Sequence, residues 1–192
     1  MNTYDFDKTI FYPDSSACFY RYCLRRYPAR VLTTVPESLR AAWRYRRGEL
    51  SAKSLKEQLF SFLPGIPDID AAVEDFWHLH ERGIGAWYLA QKRSDDLILS
   101  ASPRFLLEPV CKKLGVELIA TEMDKRTGKI SGENCHDQEK VRRFYLRDPE
   151  GHTENFYSDS LSDSPMADIA DRAYLVTKHR LSPWPGRENH TI

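Results

Sequence analysis

The sequence predicts an α/β fold: a parallel sheet with helices on both faces, interrupted after its first strand by an all-helical insertion. Three observations carry this expectation. From about residue 82, short apolar runs alternate with amphipathic stretches, the pattern of strand–helix–strand crossovers. The runs are continuously apolar, as in DLILS at residues 96–100, which suits strands covered on both faces. Between residues 12 and 81 helical periodicity and basic charge dominate instead.

Taken in order, a short first strand ends near Asp5. Phe19, Tyr22, Cys23 and Arg26 then fall at i, i+3, i+4 and i+7, giving a helix with an apolar stripe and basic edges. SLRAAWRYRR at residues 38–47 reads as a second helix, and SAKSLKEQLFSFL at residues 51–63 as a third, with Ser51 or Ser54 as its N-cap. Pro64-Gly65 breaks the pattern, and IDAAVEDFWHLH supplies a fourth helix from Ile69. After Gly83 and Gly85 come a helix in GAWYLAQKR, the strand DLILS, and a helix opened by Pro103 and closed by Gly115. VELIAT is the next strand. TGK at residues 127–129 turns a small flap, HDQEKVRRFYL is a helix, and NFYSD and AYLVT are strands. The core is thus residues 1–11 and 82–192, with residues 181–192 as a loose, proline-containing tail, and residues 12–81 form the helical insertion.

Composition narrows the function classes. The 192 residues carry 28 basic and 28 acidic side chains, so the net charge is zero, which argues against a generally basic nucleic-acid binder. No run of about 18 apolar residues is present to span a membrane, and MNTYDFDKTIFYPD does not read as a secretory signal. Cys18, Cys23, Cys111 and Cys135 form no CxxC pair, so a reducing cytoplasm is expected. His78, His80, His136 and His152 make no zinc set with them. The neutral total conceals an uneven distribution: residues 10–64 carry +6, and residues 65–192 carry −5. Either the basic stretch is a solvated helix surface or it meets an anion.

Ligands of such sheets sit at the carboxyl ends of the strands, so the residues there are the candidates. Asp5 and Asp7, two apart in an extended segment, point the same way. One carboxylate can attack an electrophile while the other moves a proton, or both can hold a hard cation. A polar strand end with an Asx turn fits the same residues. Ser100 ends its strand as an anion donor or a turn serine, and Lys140 can neutralise a phosphoryl oxygen or simply face water. Asp159 and Asp163, four apart after a strand, suit a metal site or an acid-rich turn.

In this order and at successive strand ends, these segments resemble the haloacid dehalogenase (HAD) superfamily, in its phosphoserine phosphatase-like branch with a helical cap. DFDKTI is similar to the first motif, LILSASP to the second, NCHDQEKVRRF to the third and SDSLSDSPM to the fourth. The resemblance implies a Rossmann-like, HAD-like core and assigns residues 12–81 to the cap. It implies Asp5 as nucleophile and Asp7 as acid/base, with Ser100, Ala101 and Lys140 binding phosphate. Asp5, Asp7 (through its backbone carbonyl) and Asp159 would hold Mg2+, supported by Asp163 and Thr9. The implied function is magnesium-dependent hydrolysis of a phosphomonoester through an aspartyl-phosphate. A phosphotransferase using the same intermediate, or a non-catalytic phospho-ligand binding protein, are the alternatives. Asp7 favours phosphoryl chemistry, because the dehalogenases of the family lack that second aspartate.

Phosphoserine phosphatases place an acid early in the cap to hold the substrate amine, but residues 10–36 here contain only Asp14. The stretch is aromatic and basic, with Phe11, Tyr12, Phe19, Tyr20, Arg21, Tyr22, Arg25 and Arg26, so a more apolar or more anionic small or lipid-like substrate is expected. Such side chains also suit transient contact with a membrane surface, or they pack the cap itself. Tyr12, Arg44 and Arg47 are the candidate substrate contacts in this region, and a monomer or homodimer is expected, with no nucleic-acid partner.

Overall fold

In a computed structural model, which describes residues 1–178 and 180–186, six strands form one sheet. They are β1 (Asn2–Tyr4), β2 (Leu97–Pro103), β3 (Glu117–Thr121), β4 (Asn155–Ser158), β5 (Arg172–Thr177) and β6 (Arg180–Pro183). Their order is β3-β2-β1-β4-β5-β6, parallel through β5, with β6 antiparallel at the edge. The chain fills one side of β1 and then crosses to the other, so a crevice opens at the carboxyl ends of β1 and β4.

Both faces of the sheet are apolar, as crossover helices require. Tyr4, Tyr157 and Tyr174 occupy register-matched positions on β1, β4 and β5 and stack as a ladder, with centroids 4.7 Å and 5.1 Å apart. On the opposite face Leu97, Leu99 and Phe156 pack with Phe144 and Met166 from α8 (Gln138–Arg147) and α9 (Ser164–Ile169). These in-facing side chains hold the strand ends that carry the site in a fixed order.

Five helices lie between β1 and α6 (Ala86–Gln91): α1 (Ser15–Arg26), α2 (Pro28–Leu32), α3 (Val35–Arg46), α4 (Ala52–Leu59) and α5 (Ile69–His80). Pro28, which lacks an N–H, stands at the start of α2 and separates it from α1. Ser51 is the N-cap of α4, its hydroxyl accepting from Ser54 N at 3.1 Å. The helix stops at Leu59, before the expected residue 63, because Phe60, Phe62 and Leu63 turn inward and are buried. Of the two readings of the early aromatics, packing within the helices holds for Phe11 and Phe19: Phe19 is fully buried against Phe76 at 5.4 Å. Phe6 and Phe11 from the β1 loop meet Trp77 of α5 at 5.8 Å and 5.2 Å, so these helices share one apolar cluster with the sheet.

The remaining connections are α7 (Arg104–Leu114) between β2 and β3, and the flap after β3, closed by an antiparallel bridge between Met123 and Ile130. Gly128 turns the flap at φ +72°, and a Cβ there would lie 2.5 Å from the Phe60 carbonyl oxygen, so only glycine lets the flap rest on the end of α4. Glu57 of α4 fixes the same contact by accepting from Ile130 N at 2.9 Å.

The tail differs from its expected loose state. Residues 180–183 pair with β5, and Trp184 is 3% exposed against Phe156, with its backbone N–H donating to Ala173 O at 3.0 Å. One indole buries enough apolar surface to order a short edge strand, and Pro183 is tolerated at its end. Residues 187–192 of that tail lie outside the described residues.

Candidate active site

The site is assembled by four loops that leave the sheet at its carboxyl edge. Asp5 follows β1 directly, and its N–H still donates to Tyr157 O at 2.8 Å, which fixes its height at the crevice. The chain then turns, with the N–H groups of Ile10 and Phe11 both donating to Phe6 O. This presents Asp7 to the first turn of α1. Its Oδ1 accepts from Ser15 N at 2.6 Å, and its Oδ2 accepts from the Ser102 hydroxyl.

Lys140 comes from the first turn of α8, and its side chain is only 2% exposed. Nζ lies 2.6 Å from Asp5 Oδ1 and 2.7 Å from Asp163 Oδ2, bridging two buried carboxylates. Ser158 donates to the same Asp163 oxygen at 2.7 Å, while Asp163 Oδ1 is buried without a partner. Thr9 ties the β1 and β4 loops together: its hydroxyl oxygen accepts from Asp159 N at 2.9 Å and lies 3.5 Å from Asp5 Oδ2. Ser100 Oγ accepts from Ser102 N at 3.1 Å, which shapes the loop carrying Ala101.

Electrostatics follow from burial. Desolvation pushes Asp5 up to about 7, opposed by the Lys140 ammonium beside it. Burial alone would lower Lys140, but Asp5 and Asp163 outweigh it and hold the amine above its ordinary value. Asp7 is pushed up to about 6 by burial and by nearby Asp14, against the hydrogen bonds from Ser102 and Ser15. Burial also raises Asp159, whose carboxylate makes no ion pair among the described residues.

Asp5, Asp7, Ser100, Ala101, Lys140, Asp159 and Asp163 line one cavity of about 690 Å³. Thr9 lies fully buried beside them. Tyr12, Arg44 and Arg47 are not brought to the cavity: Tyr12 is 44% exposed, and Arg47 is bonded to Glu49 and lies over the Trp43 ring. Their expected contact with substrate rested on charge and aromaticity alone: Tyr12 sits in the loop before α1, and Arg44 and Arg47, at the end of α3, do not line the cavity. In their place the inserted helices contribute Tyr20, Arg21, Tyr45, Leu55, Lys56 and Leu59.

Lys56 is the residue that sequence reasoning missed. Its Nζ lies 2.6 Å from both Ala101 O and Asn134 Oδ1, bridging α4 to the loops after β2 and before α8. It faces Asp7, Asp14, Cys135 and Lys140, and burial brings it down to about 8, with the two aspartates working against that fall. Its lysine-in-amphipathic-helix pattern is that of a surface residue, so nothing local marked it. Ser102 falls within the second-motif segment LILSASP. Its spacing two residues from Ser100, on the same side of an extended chain, was the available signal.

No group of three or more His, Cys, Asp or Glu side chains arranged around one metal position occurs among the described residues. The carboxylates lining the cavity are those of Asp5, Asp7, Asp14, Asp159 and Asp163, an all-oxygen set. It suits a hard cation that keeps water and substrate ligands and does not suit zinc.

The fold and site define the class: a doubly wound α/β protein with a lysine-bridged aspartate pair at its switch point, under inserted helices. The model of the haloacid dehalogenase-like hydrolases matches residues 3–168, and the chain belongs to that family. Among solved structures, a protein with unknown function from Bordetella pertussis Tohama I is 24% identical, covering 97% of this chain and 91% of that one, with a TM-score of 0.75. A phosphoserine phosphohydrolase-like protein from Francisella tularensis is 14% identical over 93% of this chain and 88% of that one, with a TM-score of 0.57. A substrate-bound phosphoserine phosphatase is 16% identical over 89% and 82%, with a TM-score of 0.53. At these identities the likeness is one of fold. No curated protein matches the sequence significantly.

Proposed function

We propose that this hydrolase cleaves phosphomonoesters through an aspartyl-phosphate on Asp5, with magnesium as cofactor. The observation that carries the reading is the buried Lys140 ammonium bonded to Asp5 and Asp163, with Asp7 held separately by Ser102 and Ser15. Lys140 fixes Asp5 through Oδ1 and leaves Oδ2 with only a long contact from Thr9. An Asp5 oxygen attacks phosphorus in line, forming an O–P bond as the ester O–P bond breaks. Asp7 gives its proton to the departing alkoxide, then takes one from the water that attacks the aspartyl-phosphate and regenerates Asp5. Ser100 and the backbone at Ala101 receive the phosphoryl oxygens, beside the Lys140 charge. Asp5, the Asp7 carbonyl and Asp159 would hold the Mg2+, which supplies charge neutralisation at the phosphoryl group when bound. The fit rests on the all-oxygen donor set and on the orphaned, buried Asp163 Oδ1, an acceptor that a hydrated cation would satisfy.

The leaving group meets Ala17, Tyr20, Tyr45, Leu55, Leu59 and Phe60, an apolar wall with Lys56 and Arg21 as its cations. Asp14, the one acid in this part, has its carboxylate engaged as the α1 cap, accepting from Ala17 N at 2.9 Å. This supports a small or lipid-like phosphomonoester with an apolar body and a second anionic group, rather than phosphoserine.

A panel of soluble and lipid phosphomonoesters assayed with magnesium and with EDTA tests the proposal. Phosphate release that stops in EDTA and returns with magnesium is expected, and no metal-dependent release from any member overturns it. Asp7→Asn is expected to fold normally and lose roughly 10²–10⁴-fold in kcat, the scale of a positioned acid/base, read by steady-state kinetics. Lys56 is charged below its value of about 8 and neutral above it, so KM should rise roughly fivefold from pH 8 to pH 9. Lys56→Met should start with a higher KM and lose that rise, and a parent-like pH profile in the variant would remove Lys56 from substrate binding.

A further inference from the structure

Helix α3 is amphipathic in the unexpected direction. Ser38 and Ala41 are its buried residues, and it packs on α4 and α2. Leu39 and Trp43, one turn apart, face outward and are 66% and 58% exposed. Arg46 flanks this apolar pair on one side, with Arg40 and Arg47 on the other. Arg46 makes no ion pair among the described residues, and Arg47 lies over the Trp43 ring with its guanidinium 4.5 Å from the centroid. Arg40 is paired with Glu37 and Arg47 with Glu49, and with Arg44 and Arg46 the segment 35–49 keeps a net charge of +2. Single exposed apolar residues are ordinary, but a leucine–tryptophan pair framed by arginines on one helix face is the pattern of an interfacial helix.

We propose that the outward face of α3 docks the protein on an anionic phospholipid surface. Trp43 and Leu39 enter the headgroup region and the arginines pair with lipid phosphates. Charge complementarity selects an anionic surface, and the aliphatic Leu39 beside a single tryptophan favours a bilayer over single-stranded nucleic acid, which is gripped by series of aromatic platforms. Tyr45, two residues beyond Trp43 and so on the opposite side of α3, lines the catalytic cavity, which leaves the docking face clear of it. Docking itself does not depend on the phosphatase reading. Only its use, delivering a membrane-borne phosphomonoester, rests on it.

Co-sedimentation with vesicles of phosphatidylcholine alone, and of phosphatidylcholine mixed with phosphatidylglycerol, tests the proposal without any turnover. Binding to the mixed vesicles only, weakening with added salt, is expected. Arg40→Gln with Arg46→Gln should weaken it roughly fivefold per arginine. Leu39→Ser with Trp43→Ser should abolish it, with unchanged melting and unchanged hydrolysis of a soluble phosphomonoester. Equal binding to neutral vesicles, no binding at low salt, or parent-like binding of both variants overturns docking. So does tighter binding to single-stranded RNA than to lipid. A homodimer in which Trp43 is shielded from acrylamide quenching assigns the face to a second copy and overturns it as well. Hydrolysis without docking, or docking without hydrolysis, separates this proposal from the catalytic one.

Discussion

Asp5→Asn is expected to remove turnover, by on the order of 10⁵-fold or more, while leaving a folded protein. The magnitude follows from the role: a carboxamide oxygen is a poor nucleophile, and losing the nucleophile of a covalent mechanism costs nearly the whole enzymatic advantage. The fold should survive because the change is isosteric and removes a charge that is costly to bury. Lys140 keeps Asp163 as an ion partner at 2.7 Å after the substitution. Parent enzyme quenched in acid during turnover should carry a phosphoryl group on the peptide containing Asp5, and the variant should carry none. Parent-like phosphate release by the purified variant overturns the assignment of Asp5. A labelled peptide elsewhere moves the nucleophile.

How much of this was legible in the sequence depends on what each residue needs around it. Asp5, Asp159 and Asp163 follow strand ends, which converge wherever the rest of the chain goes, so position along a strand predicts position in the site, while Lys140, in the first turn of α8, was legible from the motif segment that holds it. The helical insertion was readable from periodicity, and its early break at Pro28 follows from proline chemistry. Trp184 was not, because a tryptophan between prolines near residue 180 has no local pattern, and its burial is decided by contact with Phe156 on another strand. Lys56 was missed for a related reason. Its partners Ala101 and Asn134 are 45 and 78 residues away, and only the folding of α4 over the sheet edge brings them together. Arg44 and Arg47 failed in the opposite way. They had the right charge for a phosphate, but charge carries no direction, and α3 shows the cavity a different edge, that of Tyr45. Family motifs thus identify the part of the site built from strand ends, while the residues of the inserted helices must be located in three dimensions.

Lys140→Met is the second large effect, and it acts on stability as well as rate. The lysine is the cation for both Asp5 and Asp163, whose side chains are 11% and 4% exposed. Methionine fills the volume but leaves two buried carboxylates facing each other without a counter-charge. Breaking a buried ion pair in this one-sided way costs about 3–5 kcal/mol, which in a chain of this size corresponds to roughly 10 °C in Tm. Arginine should not rescue it, because the pocket accepts a compact ammonium and the planar guanidinium is larger and differently shaped. The test of cause is a second substitution. Lys140→Met with Asp163→Asn removes one of the stranded charges and should recover part of the lost melting temperature, while phosphatase activity stays absent because the phosphoryl group still lacks its lysine. If the double variant melts no higher than the single one, the damage comes from packing and the two carboxylates are not what Lys140 restrains. If the single variant keeps activity, the charge that receives the phosphoryl oxygens lies elsewhere, and Lys56, a half-buried cation at the cavity, becomes the residue to replace.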